Sequence, residues 1–113
     1  MKNIILIGMP GAGKSTVGVL LAKSMGYDFV DADLVIQKQQ RKKLQNIIDE
    51  RGLDGFKQAE EQALLSINDK KAIIATGGSA VFSAAGMAHL KENGICVYLR
   101  VDEQELILSL IHI

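Results

Sequence analysis

Gly8, Gly11, Gly13, Lys14 and Ser15 fall at the spacing G-x-x-x-x-G-K-S within Gly8-Met9-Pro10-Gly11-Ala12-Gly13-Lys14-Ser15-Thr16, which suits a loop that cradles polyphosphate. Backbone N–H groups must turn inward to touch phosphate oxygens, and glycine leaves no Cβ in their way. A helix starting at the loop adds the partial positive charge of its N-terminus. Lys14 is expected to reach the β- and γ-phosphates, and the Ser15 hydroxyl to join a Mg²⁺ shell. Gly8, Gly11, Ala12, Gly13, Lys14, Ser15 and Thr16 are therefore the candidate nucleoside-triphosphate contacts.

Two further stretches carry chemistry. Asp31 and Asp33 are two residues apart, a spacing that points both carboxylates to one side of an extended strand exit. One can hold a Mg²⁺-bound water while the other orients a substrate hydroxyl and accepts its proton. The competing reading is that Asp33 caps a helix beginning at Leu34, whereas Asp31 needs no cap role. Thr76-Gly77-Gly78-Ser79 offers backbone N–H groups to a ligand, or else is a plain turn whose Ser79 caps the next helix. Lys57 and Glu60 are three apart and can pair on a helix surface.

These residues need a scaffold, and the chain supplies one. Apolar, β-branched runs at 3–7, 27–30, 72–76 and 95–99 read as strands. Helix-length stretches lie between them at 15–25, about 33–50, 56–68 and 80–92. Such alternation predicts βαβ units, a parallel sheet and helices on both faces. Ligands in such sheets bind beyond the carboxyl ends of the strands. The phosphate loop, the D-x-D and the glycine pair all follow strands, so they are expected to converge in one cleft.

With 113 residues the chain has room for one domain over 1–113. Thirteen basic and thirteen acidic residues cancel, which leaves no global field to recruit nucleic acid or a membrane. No apolar run reaches bilayer length and no signal peptide fits the N-terminus. The single cysteine, Cys96, lies in an apolar run and reads as a buried strand thiol. The expectation is a cytoplasmic monomer whose partner is a small-molecule substrate, with no nucleic acid and no membrane. The basic stretch 37–43 reads as a solvated helix face, with a share in attracting an anionic substrate as the lesser alternative. A helix is expected to start near Asp102. Residues 108–113 resemble translated sequencing-adapter sequence and are not expected to be native, so the chain reads as the front part of a longer protein.

Taken in order, these elements resemble the shikimate kinase family. The likeness runs from Gly8–Gly18 through Leu21-Ala22, Asp31-Ala32-Asp33-Leu34-Val35-Ile36 and Phe56-Lys57-Gln58-Ala59-Glu60 to Ala75-Thr76-Gly77-Gly78. The resemblance implies a P-loop NTPase-type three-layer α/β sandwich, of the nucleoside monophosphate kinase kind, with the last strand and lid beyond this chain. It implies ATP-dependent phosphorylation of the shikimate 3-hydroxyl in aromatic amino-acid biosynthesis. Ser15 and Asp31 would then serve Mg²⁺, Asp33 would bind the acceptor and act as base with Lys14 on the phosphates, and Lys57, Gly77, Gly78 and Ser79 would line the acceptor pocket.

The chain departs from the family pattern at three places. Lys57 stands where the family has an arginine that grips the shikimate carboxylate; lysine keeps the charge and loses the bidentate fork. Ser79 replaces a third glycine, and a glycine usual in the helix after D-x-D is replaced near Arg41. The only arginines are Arg41, Arg51 and Arg100, none placed as a lid arginine, so this chain alone is expected to turn over poorly. Another polyol acid or a nucleotide as acceptor, and an inactive ATP-binding paralogue, are the rival readings.

Overall fold

The apolar run that opens the chain forms strand β1 (Asn3–Gly8), and similar runs form β2 (Asp28–Asp31), β3 (Ala72–Ala75) and β4 (Gly94–Leu99). A computed structural model describes residues 2–8 and 14–99. Gly11, Ala12 and Gly13 of the phosphate loop, Arg100, the expected helix start at Asp102 and residues 108–113 lie outside the described residues. The four strands pair in parallel in the order β2-β3-β1-β4. Parallel strands need long crossovers, and here α1 (Lys14–Met25), α2 (Ala32–Gln40), α3 (Leu44–Ser66) and α4 (Ala84–Lys91) supply them.

Side chains alternate across β1 and so sort the core into two layers. Ile5 packs with Leu64, Ile74, Met87 and Leu90 on the α3–α4 side. Leu6 packs with Val17, Ala22, Ile73 and Leu99 on the α1 side. A third cluster, Ile36, Ile47, Ala59 and Ala63, joins α2 to α3. The result is the expected three-layer sandwich of a P-loop fold.

Two polar side chains fix how β3 sits against β1. The buried Asn3 amide donates to the Asp69 carbonyl at 2.7 Å and accepts from the Ala72 N–H at 2.7 Å. At the other end, Thr76 Oγ1 donates to the Leu6 carbonyl at 2.9 Å. Because β3 is pinned at both ends, the glycine pair that follows leaves the sheet at a fixed point.

The helix boundaries differ from the sequence expectation. The stretch 33–50 is not one helix: α2 stops at Gln40, with Arg41 in the left-handed region at φ 56°. That conformation costs a side-chain-bearing residue roughly 1–2 kcal/mol. A new helix starts at Leu44 and runs to Ser66, kinked at Gly52, where φ is 73°. The stretch 80–92 is likewise divided, into a 3₁₀ turn (Ala80–Phe82) and α4, because the Ser83 hydroxyl accepts from the Gly86 N–H and starts a fresh helix.

Lys38, Arg41, Lys42 and Lys43 are exposed, and Lys42 pairs with Glu50, so the basic stretch is a solvated helix junction. Cys96 is a free thiol but only half-buried, because among the described residues β4 lies at the sheet edge, with Ile95, Val97 and Tyr98 exposed. Among the described residues no helix is long and apolar enough to cross a membrane.

Candidate active site

The carboxyl ends of β1, β2 and β3 carry the candidate residues. Gly8 closes β1 at φ 152°, and a Cβ there would stand 2.7 Å from the Leu99 carbonyl of the neighbouring strand. Only glycine lets the chain leave the sheet at this point. After the loop, α1 begins at Lys14, whose ammonium donates to the Gly8 carbonyl at 2.8 Å. The lysine thus folds back across the two ends of the loop. Ser15 and Thr16 are exposed on the first turn of α1.

The D-x-D motif is not the extended exit its spacing suggested. β2 runs to Asp31 and α2 begins at Ala32, so Asp33 sits in the first helical turn. The cap is Asp31 and not Asp33. Asp31 Oδ1 accepts from the Asp33 N–H at 2.9 Å and the Leu34 N–H at 3.4 Å, satisfying donors that a helix start leaves open. Asp33 is freed from capping and turns toward the glycine pair. A Cβ at Gly77 would stand 2.7 Å from Asp33 Oδ1 and 3.5 Å from Glu60 Oε2. A side chain at Gly77 would push the Asp33 carboxylate aside.

Asp33 is coupled by charge to both of its neighbours, Asp31 and Lys14. Burial raises the Asp33 pKa above the usual carboxylate value, the negative charge of Asp31 raises it further, and the Lys14 ammonium opposes both. Lys14, Asp31, Asp33 and Gly77 thus come together from three strand ends. Gly78 is exposed beside them.

Glu60 is the residue that sequence reasoning misjudged. It was expected as a surface partner of Lys57, yet it is 2% exposed. The Ser79 hydroxyl donates to both of its oxygens, at 3.0 and 3.1 Å. Ser79 makes no capping bond to the following turn, so its expected cap role falls to Ser83 at α4. The signal for burial was present in the sequence: Ala59, Ala63 and Leu64 surround Glu60 at helical spacing and are all buried. Lys57, one turn earlier, is exposed. Burial raises the Glu60 pKa, the Ser79 hydrogen bond pulls it down, the Asp33 charge raises it and the Lys57 charge lowers it.

That shift has a sign for stability. A carboxyl whose folded pKa is raised binds its proton more tightly in the folded state, so stability falls as pH rises from its ordinary 4.5 through the raised value. Glu60→Gln keeps an acceptor for Ser79 and removes the buried charge. Thermal unfolding across this range is expected to show a flatter decline for the variant and a higher Tm near neutral pH. An unchanged pH profile would mean that Glu60 carries no such cost.

Among the described residues no group of three or more His, Cys, Asp or Glu gathers into a metal site. Mg²⁺ in nucleotide sites needs no such cage; it keeps several waters and takes one or two carboxylates plus phosphate oxygens. Ser15 and Asp31 fit that donor set.

Comparison with known proteins agrees with this geometry. The shikimate kinase family model matches residues 10–111. Shikimate kinase 2 of Yersinia pseudotuberculosis serotype O:3 (strain YPIII) is 39% identical over 101 residues, covering 89% of this chain and 58% of that protein. The chain thus spans a little under three-fifths of the length of such relatives. The structure of the Acinetobacter baumannii shikimate kinase in complex with shikimate superposes with a TM-score of 0.83 at 38% identity, over 96% of this chain and 61% of that one. The Aquifex aeolicus shikimate kinase superposes with a TM-score of 0.80 at 28% identity, over 93% and 63%. With Lys14, the paired aspartates and the Gly77 turn brought together and the family model matching most of its length, the chain belongs to the shikimate kinase family.

Proposed function

We propose that the protein containing this chain transfers the γ-phosphoryl group of ATP to a hydroxyl of shikimate, giving shikimate 3-phosphate. The observation that carries this reading is the Asp33 carboxylate, released from capping and set against Gly77 in a cleft that also holds Lys14. A raised pKa suits a general base that must take a proton from an alcohol. Gly8, Gly11, Ala12, Gly13, Lys14, Ser15 and Thr16 are assigned to the nucleotide, Lys14 drawing the phosphates toward Asp33. Ser15 and Asp31 are assigned to Mg²⁺, which when bound neutralises charge on the phosphates. Asp31 has one oxygen engaged in the α2 cap, which fixes the carboxylate in place for this task. Asp33 orients the acceptor hydroxyl and receives its proton. Lys57 contacts the acceptor carboxylate, and Gly77, Gly78 and Ser79 border the ring. A small-molecule acceptor, a monomeric state and a cytoplasmic location complete the proposal.

Phosphoryl transfer by the full-length protein, assayed over shikimate, other polyol acids and nucleoside monophosphates, tests this reading. Shikimate is expected to be the preferred acceptor, and no transfer to it would overturn the assignment. Lys57 is the position that favours a different polyol acid, and Lys57→Arg separates the two. For shikimate, a guanidinium restores a bidentate carboxylate contact and is expected to lower KM by about tenfold, the ratio that follows from roughly 1.4 kcal/mol. An arginine variant with kcat/KM for shikimate no better than the parent would count against shikimate.

A further inference from the structure

Lys38, Arg41, Lys42 and Lys43 fall within the run 34–48, which holds no aspartate or glutamate, although acidic and basic residues balance over the whole chain. The turn between α2 and α3 gathers all four cations. With Leu34 and Asn46 they line an open groove of about 650 Å³. Lys42 is paired with Glu50, but among the described residues no carboxylate pairs with Lys38, Arg41 or Lys43. Like charges set this close along a helix and its exit repel one another. The same turn holds Arg41 in the left-handed region, at φ 56°, where glycine would sit without strain. Solvation accounts for each cation singly. It does not account for uncompensated repulsion and backbone strain at one turn, a combination that fits a site formed for a ligand.

We propose that the α2–α3 groove binds a multivalent phosphate anion, of the class of a free polyphosphate or the triphosphate tail of a nucleotide. The number of charges decides the class. A single exposed ion pair contributes little, because salt screens it and long side chains must be ordered. A monovalent carboxylate would therefore meet one cation and leave again. A chain of phosphates carries several charges on consecutive groups, so it engages Lys38, Arg41 and Lys43 together. Arg41 gives such a ligand a planar fork for two phosphate oxygens, and the lysines act as point charges beside it. Asn46 adds an amide donor at the groove wall. Binding also removes the mutual repulsion of the cations. The groove is built where α2 meets α3, whereas Asp33 stands in the first turn of α2. The inference is thus independent of the acceptor assignment.

Tripolyphosphate titrated into the isotope-labelled full-length protein tests this through amide chemical shifts. The amides of residues 38–46 are expected to move saturably, and separately from those of the phosphate loop. Orthophosphate at the same concentrations is expected not to saturate them. Raising the ionic strength from about 0.1 M to about 1 M, which shortens the Debye length from roughly 10 Å to 3 Å, is expected to abolish the shifts. Lys38→Ala/Lys43→Ala is expected to weaken groove binding roughly fivefold or more, the scale of two exposed ion pairs, with kcat and KM for ATP unchanged. Arg41→Gly, which relieves the strained turn, is expected to weaken binding with a Tm no lower than the parent, so the loss cannot be read as unfolding. ATP without Mg²⁺ separates the two sources. Groove shifts with ATP that the double variant abolishes assign the nucleotide tail, and groove shifts with tripolyphosphate alone assign free polyphosphate. Groove amides that stay in place, that respond equally to orthophosphate, or that bind tripolyphosphate as tightly in the double variant overturn the inference. None of these results touches the kinase reading, whose failure shows in the acceptor assay.

Discussion

Asp33→Asn is expected to leave ATP binding intact and to lower phosphoryl transfer by about 10²–10⁴-fold, the loss typical of removing a general base. The amide matches the carboxylate in size, so it fits against Gly77, where a Cβ would already stand 2.7 Å from Asp33 Oδ1. It cannot take a proton from the attacking hydroxyl. The variant is a clean test because α2 takes its cap from Asp31, and the helix start does not depend on residue 33. Single-turnover transfer to shikimate, with nucleotide affinity measured in parallel, separates chemistry from binding. Turnover reduced less than tenfold would mean that Asp33 only orders the pocket.

Lys14→Ala is expected to weaken ATP·Mg²⁺ binding by roughly 10- to 150-fold, since a charge-assisted phosphate contact contributes about 1.5–3 kcal/mol. The fold should survive, because the lysine side chain bridges the loop ends at the Gly8 carbonyl and lies outside the core clusters. Isothermal titration of ATP·Mg²⁺ into parent and variant reads the loss directly. Circular dichroism of the same samples checks that the helices persist. Unchanged affinity would mean that the loop is not a working phosphate site.

The features legible in the sequence were those whose chemistry is local. The run Ile4-Ile5-Leu6-Ile7 announces a strand, and the strands appear within a residue or so of their expected places. The parallel three-layer architecture follows from their alternation with helices. Capping was misjudged by two residues because β2 extends to Asp31, and the strand end sets where a helix can begin. Arg41 was illegible for a related reason: a left-handed residue without glycine is imposed by the packing of Ile36 against Ile47 and Ala59, not by its own preference. Glu60 was the larger miss. A glutamate beside a lysine reads as surface decoration, and only the arrival of the β3 turn over α3 makes it a buried partner of Ser79.

The position of β1 has a consequence for how the molecule is made. β1 precedes the other described strands in the chain, yet it lies between β3 and β4 in the sheet. Its partners are remote in sequence: Ile4 pairs with Ile73 and Ile95, and Leu6 with Ala75 and Val97. At roughly 5–20 residues per second, translation leaves this apolar strand without either neighbour for several seconds or longer. Until then Leu6 can be shielded by Val17 and Ala22 of α1 and by Tyr27 and Phe29 around β2. The nascent chain therefore carries β1 with unpaired edges until β3 is made, a state that favours chaperone capture and slow, non-local closure of the sheet.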